Sequence, residues 1–183
     1  DWDKDVTDNI KKVWLNWIEG LQYLPEVRIP RTLLPEAQKT KEVQLHIFCD
    51  ASSMAYASAL YTRVTFSDGT FYTNLVASKA RLAPLKHITI PRLELMAAEL
   101  GAKLAKPIID TLKIKRSKCF YWSDSKNVLA WLNTDTRELQ RFVSNGVEKI
   151  STITKNSAWK YVNTKQNPAD LASRGLHLNK LLH

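Results

Sequence analysis

The chain has 183 residues, 44% of them apolar, and its 27 lysines and arginines outnumber 18 acidic residues, for a formal charge of +9. No run approaches the ~18 consecutive apolar residues of a membrane span. Two cysteines, Cys49 and Cys119, make neither a secreted disulfide framework nor a metal-ligand pair, which favours a reducing compartment, and no basic stretch leading into an apolar run marks a signal peptide. At a prior of ~150 residues per domain the length holds one domain and an extension, and the basic surplus points to a polyanionic partner, above all nucleic acid.

Residues 1–24 read as one amphipathic helix. Val6, Ile10, Val13, Trp14, Trp17, Ile18, Leu21 and Leu24 recur at spacings of three and four, and Pro25 cannot continue the pattern. Core packing against the main domain is the expected role of the tryptophans. From Pro25 to Glu42 no period holds, and this stretch reads as a linker. Val43–Asp50 (VQLHIFCD) reads as a strand buried on both faces. Residues 56–66 and 71–78 are rich in Tyr, Val, Thr and Phe and flank Asp68-Gly69, a strong hairpin signal, so the first three strands form an antiparallel meander.

A helix is expected at 91–106, with Pro91 in its first turn, Leu93, Met96, Ala97, Leu100 and Leu104 as its buried stripe, and Pro107 bending or ending it. Lys118–Trp122 is a short strand, Ser125–Leu132 a helix, Leu139–Thr154 another, Trp159–Val162 a last strand, and Pro168–Ser173 holds a final helix. A meander followed by β-α-β crossovers gives an α/β domain: a mixed sheet covered by helices, with an N-terminal arm.

Carboxylates at the ends of the apolar strands stand out. Asp50 ends the first strand and Asp124 the fourth, and in an open sheet with crossovers ligand sites form at those carboxyl ends. Glu94 falls in the first turn of its helix on the side facing the sheet, and Asp170 at the start of the last helix. Each has an ordinary explanation alone, as a helix N-terminal acid or a turn residue. Four converging carboxylates repel one another unless a cation neutralises them. All-oxygen donors suit Mg²⁺ or Mn²⁺, and two such ions ~4 Å apart activate water and stabilise a leaving oxygen in phosphodiester cleavage.

Over about residues 43–175 the sequence resembles the ribonuclease H domain of a retroelement reverse transcriptase. The resemblance rests on FCDAS around Asp50, RLELMAA around Glu94, WSDS around Asp124 and NPADLASRG around Asp170. The stretch SKARLAPLK running into TIPRLEL is similar to BEL/Pao-like LTR retrotransposons. It implies a ribonuclease-H-like fold with a five-stranded mixed sheet of order 3-2-1-4-5 and helices on both faces. Residues 1–42 then read as a tether behind the polymerase part of the same polyprotein, 43–175 as the ribonuclease H domain and 176–183 as a tail. The non-Met start fits excision from a polyprotein. The implied activity is endonucleolytic cleavage of the RNA strand of an RNA–DNA hybrid during reverse transcription, with two Mg²⁺ ions (Mn²⁺ substituting) and a place in the cytoplasm within virus-like particles. By family analogy Asp50 bridges both metals, Glu94 and Asp124 hold the leaving-group side, and Asp170 holds the ion that activates water.

Two departures from the resemblance stand out. Many relatives carry a mobile histidine shortly before the last aspartate. Here Tyr161–Asn167 contains none, and Lys165 stands nearest that place. The short Asn133–Glu138 connection also leaves no room for the basic handle of some cellular members. Candidate substrate contacts are Ser52, Arg81, Arg92, Ser125, Lys126, Asn127 and Lys165. The rival readings are a domain of the same fold with weak or no chemistry, serving as a nucleic-acid-binding tether, and an integrase or transposase of that broad fold.

Overall fold

The computed structural model describes residues 4–32 and 39–176. The middle of the expected linker and most of the expected tail, with His177, lie outside the described residues. The contacts divide the chain into one unit of 30–174 and another that holds residues 1–29 and the chain from Gly175 on.

The first unit along the chain is the arm. Helix α1 (Asp8–Gly20) passes into a 3-10 turn over Leu21–Glu26 that contains Pro25. Its apolar stripe is where the sequence put it. Trp14 and Trp17 are 57% and 52% exposed and stack on each other at 5.1 Å. Amphipathic spacing specifies a face and not what covers it.

The second unit carries the sheet. Strands β1 (Thr40–Ala51), β2 (Ala55–Phe66) and β3 (Phe71–Leu82) form the meander, and β4 (Cys119–Ser123) and β5 (Ala158–Tyr161) add parallel to β1. The order is β3-β2-β1-β4-β5, as the resemblance implied. The β2–β3 turn closes on Asp68, whose carboxylate accepts the Thr70 N–H and hydroxyl, while Gly69 takes a φ of +88° that disfavours a side chain.

Strand alternation sorts the two sheet faces. Leu45, Ile47 and Cys49 of β1, with Cys119 and Tyr121 of β4, point to one face and are fully buried there. They meet Leu93, Ala97, Leu100, Ala105 and Ile109 of α2 (Ile90–Leu112). A second cluster joins Leu95 and Ala98 of α2 to Val128 of α3 (Lys126–Leu132) and to Val143, Val147 and Ile150 of α4 (Arg141–Ile153). Each such Leu, Ile or Val side chain contributes ~1.5–3 kcal/mol of transfer free energy. The short α5 (Ala169–Arg174) contacts β1, β2 and β3, and the approach to it, Gln166 and Pro168, borders the other face beside Phe48 and Tyr61.

Helix α2 does not stop at Pro107 but runs five residues further, to Leu112. Pro107 lies on the exposed side of the helix, where water can satisfy the carbonyl its missing N–H leaves free. Among the described residues no helix is long and apolar enough to cross a membrane.

Candidate active site

Parallel pairing of β1 and β4 brings two strand ends side by side. Cys49 pairs with Ser123, so the residues that follow are neighbours: Asp50, still paired with Ala57 of β2, and Asp124, just past the end of β4. Helix α2 starts above them. Thr89 is extended at its N-cap and Pro91 lies in its first turn, which places Glu94 one turn in and against β1. One carboxylate oxygen from each of Asp50, Glu94 and Asp124 lies within 4.8 Å of the other two. Asp50 is 2% exposed and Glu94 8%.

Local hydrogen bonds aim these groups. The Ser173 hydroxyl donates to Asp50 Oδ2, and the Thr164 hydroxyl donates to Asp124 Oδ2 at 2.7 Å. Asn167 joins α5 to the strand end: its Nδ2 donates to the Cys49 carbonyl at 3.0 Å, and its Oδ1 accepts the Ala169 N–H at 3.2 Å. Ser52 donates to the Ser173 carbonyl at 2.7 Å, closing the β1–β2 turn onto α5. The roles of Thr164, Asn167 and Ser173 were missed in the sequence. Only the Asn-Pro pair ahead of a helix offered a signal, that of a side chain capping the helix start.

Burial and crowding set the charge state. Burial is the main cause that lifts the Asp50 carboxyl to about 6, with Asp124 and Asp170 adding to it while the Ser173 hydrogen bond opposes. Burial lifts Glu94 to about 8, reinforced by Asp50 and Asp124 and opposed by the Ala51 N–H. Two buried oxygens of the cluster, Glu94 Oε2 and Asp124 Oδ1, have no hydrogen-bond partner. Buried acceptors without donors are costly, and a hard divalent cation satisfies both the orphaned oxygens and the repulsion. The residues present fit such an ion.

Asp170 stands beside the triad rather than in it. It opens α5, and its Oδ1 accepts from Arg174 Nε at 2.5 Å. The expected substrate contacts are dispersed. Ser52 is committed to its turn, accepting the Met54 and Ala55 N–H groups, and Ser125 caps α3 by accepting the Val128 N–H at 3.4 Å. Arg92 donates to Gln140 at 2.9 Å and lies over the Phe142 ring, so it is held to α4. Lys126 sits 5.9 Å from the centroid of the Tyr161 ring. Asn127 and Lys165 are exposed near the strand ends, Lys165 in a 3-10 turn directly after Thr164. Arg81 lies away from the triad, on β3, lining a groove of about 280 Å³ with Lys79, Lys103 and Tyr56.

Comparison with known proteins agrees with this architecture. LC11-RNase H1 in complex with an RNA/DNA hybrid, an enzyme isolated from compost, superposes with a TM-score of 0.50 at 12% identity over 76% of this chain and 99% of its own. The N-terminal RNase H domain of a Mycobacterium tuberculosis protein does so with 0.47 at 13%, over 73% of this chain and 95% of its own. At such identities the likeness is one of fold. Among curated proteins none matches the sequence. The model of the Pao retrotransposon-like RNaseH-like domain matches residues 1–125, a span that holds the arm, Asp50, Glu94 and Asp124 and ends before Asp170. The chain is a member of the Pao retrotransposon RNaseH-like domain family.

Proposed function

We propose that the domain hydrolyses the RNA strand of RNA–DNA hybrids with divalent cations, Mg²⁺ or Mn²⁺, as the nuclease part of a retrotransposon's reverse-transcription machinery. The observation that carries this reading is the buried Asp50–Glu94–Asp124 cluster with its two unpartnered oxygens at the carboxyl ends of β1 and β4. Membership of a retrotransposon RNaseH-like family supports the substrate class, as does the RNA/DNA hybrid held by LC11-RNase H1.

Asp50, Glu94 and Asp124 would hold the cation, with Asp170 a further ligand once it parts from Arg174. Divalent metal at such a site lowers the pKa of a bound water and stabilises charge on the leaving oxygen. The chain's own contribution is placement. Ser173 holds one oxygen of Asp50 and Thr164 one oxygen of Asp124, which leaves the opposite oxygens facing the cluster. Asn167 ties α5, and with it Asp170 and Ser173, to the end of β1.

The test is cleavage of a labelled RNA–DNA hybrid by the full chain in Mg²⁺ and in Mn²⁺, at high enzyme concentration. Wild type should cut the RNA strand in at least one metal, and Asp50→Asn should fall to background while keeping its circular dichroism spectrum. Equal cleavage by the variant, or none by wild type in either metal, overturns the reading. The Asp170–Arg174 pair favours one alternative, a domain that binds hybrid without cutting it. Wild type that binds hybrid and metal yet leaves the RNA intact would establish that role.

A further inference from the structure

The sheet face opposite α2 carries a second feature, separate from the acid cluster. Register places His46 opposite Tyr61 on β2 and Phe120 on β4, and Phe48 opposite Trp122, which in turn pairs with Lys160 on β5. The rings form a continuous patch. His46 lies 5.2 Å from Phe120 and 5.9 Å from Trp122, and Phe48 lies 5.9 Å from Trp122, all with planes within 23° of parallel. Trp122 Nε1 donates to His46 Nδ1 at 3.1 Å, locking the pair.

Cations sit over these rings. The exposed Lys160 ammonium lies 4.8 Å from the Phe120 centroid and 5.6 Å from that of Trp122, and both rings are half-buried. On the other flank Arg63 lies 4.8 Å from the centroid of Phe71, itself 63% exposed. Between the flanks runs an open groove of about 410 Å³ lined by His46, Phe48, Tyr61 and Arg63. The five strands carry only two carboxylates: Asp50 belongs to the acid cluster, and Glu42 is paired with Lys118. The strands of this face are thus aromatic and positive, with no free acid among them.

Aromatic faces on a sheet, flanked by cations, bind unpaired bases by stacking while the cations neutralise phosphates. A protein partner of ordinary composition would not need cations above the rings. We propose that this face is a binding platform for single-stranded nucleic acid, wide enough for roughly two or three stacked bases. It adjoins the acid cluster through Phe48 and Trp122, each two residues before one of its aspartates. The platform does not depend on cleavage.

The test is fluorescence anisotropy of a labelled dT15 with the full chain in EDTA, against a duplex of the same length. Wild type should prefer the single strand. Lys160→Gln, at an exposed position, and Phe120→Leu, which keeps bulk but removes the ring, should each raise Kd about tenfold, while Lys155→Gln on the α4 side should not. Melting curves confirm that the variants are folded. Unchanged affinity in both platform variants, or a wild-type preference for duplex, overturns the proposal, as does a face that binds no oligonucleotide. Hybrid cleavage is read separately: platform variants should retain it, and Asp50→Asn should lose it while still binding dT15. Failure of one proposal is therefore distinct from failure of the other.

Discussion

At the scale of single residues, the acid cluster behaves as a spring compressed by burial. Asp50 and Glu94 have pKa values raised to about 6 and about 8, above their ordinary 3.8 and 4.5. The folded protein therefore holds these protons more tightly than the unfolded chain does, and stability falls as pH rises through that window. Metal-free protein should melt at progressively lower temperature from about pH 5 to pH 8, and Mn²⁺ should raise Tm more at pH 8 than at pH 5. A metal shift independent of pH would contradict the assignment of the cluster. Thr164 gives a second residue-scale prediction. Thr164→Val removes the hydroxyl hydrogen bond to Asp124 Oδ2 and should weaken Mn²⁺ affinity about tenfold, the usual cost of losing such a supporting contact, with the melting curve in EDTA nearly unchanged. Lys165 is next in sequence and exposed. Replacement by His should raise the turnover number several-fold if proton transfer limits the reaction, and an equal turnover number would exclude that limit.

At the scale of elements, α2 is the part that couples core to site, because its buried stripe and Glu94 lie on one face. It packs tightly on the sheet at Gly101, where an added Cβ would meet Cys49 Sγ at 2.6 Å, Ser58 Oγ at 3.0 Å and Ile47 Cγ2 at 3.1 Å. Gly101→Ala should cost ~1–3 kcal/mol in denaturant titration, as overpacking does, in spite of alanine's better helix propensity. It should also reduce metal affinity by pushing Glu94 away from Asp50. At Gly146 in α4 the three atoms nearest an added Cβ all belong to the Leu95 side chain, the nearest being its terminal Cδ2 at 2.8 Å, so Gly146→Ala should cost less. Much of this scale was legible. The Asp-Gly hairpin, the Pro91 helix start and the strand endings around Asp50 and Asp124 all follow from local chemistry. The run of α2 past Pro107 and the extension of β3 to Leu82 were not, because solvent access to a carbonyl and pairing with β2 are settled by neighbours distant in sequence.

At the scale of the whole molecule, the +9 charge is distributed over surfaces with different tasks. Three carboxylates meet at one end of the sheet, in the cluster, while the strands that lead to it carry Lys41, Lys79 and Arg81. Binding of hybrid should therefore weaken steeply with salt, since each neutralised phosphate releases counterions. The salt slope should be the same in Asp50→Asn as in wild type, because the cluster faces metal and not phosphate counterions. A shallower slope in that variant would mean that Asp50 takes part in phosphate binding.

The order of elements, the meander and the positions of the four acids follow from sequence, because periodicity, turn chemistry and strand ends are local properties. The sequence also identified the family, through motifs that recur in order. Tertiary structure decided which acids meet. Asp50, Glu94 and Asp124 come within 4.8 Å of one another because β1 and β4 are parallel neighbours under α2, whereas Asp170 is held by Arg174 one turn away. The partners Ser173, Thr164 and Asn167, and the aromatic face of His46, Phe48, Phe120 and Trp122, also emerged only in three dimensions. A hydrogen bond across 123 residues, or rings aligned by strand register, leaves no period in a linear chain.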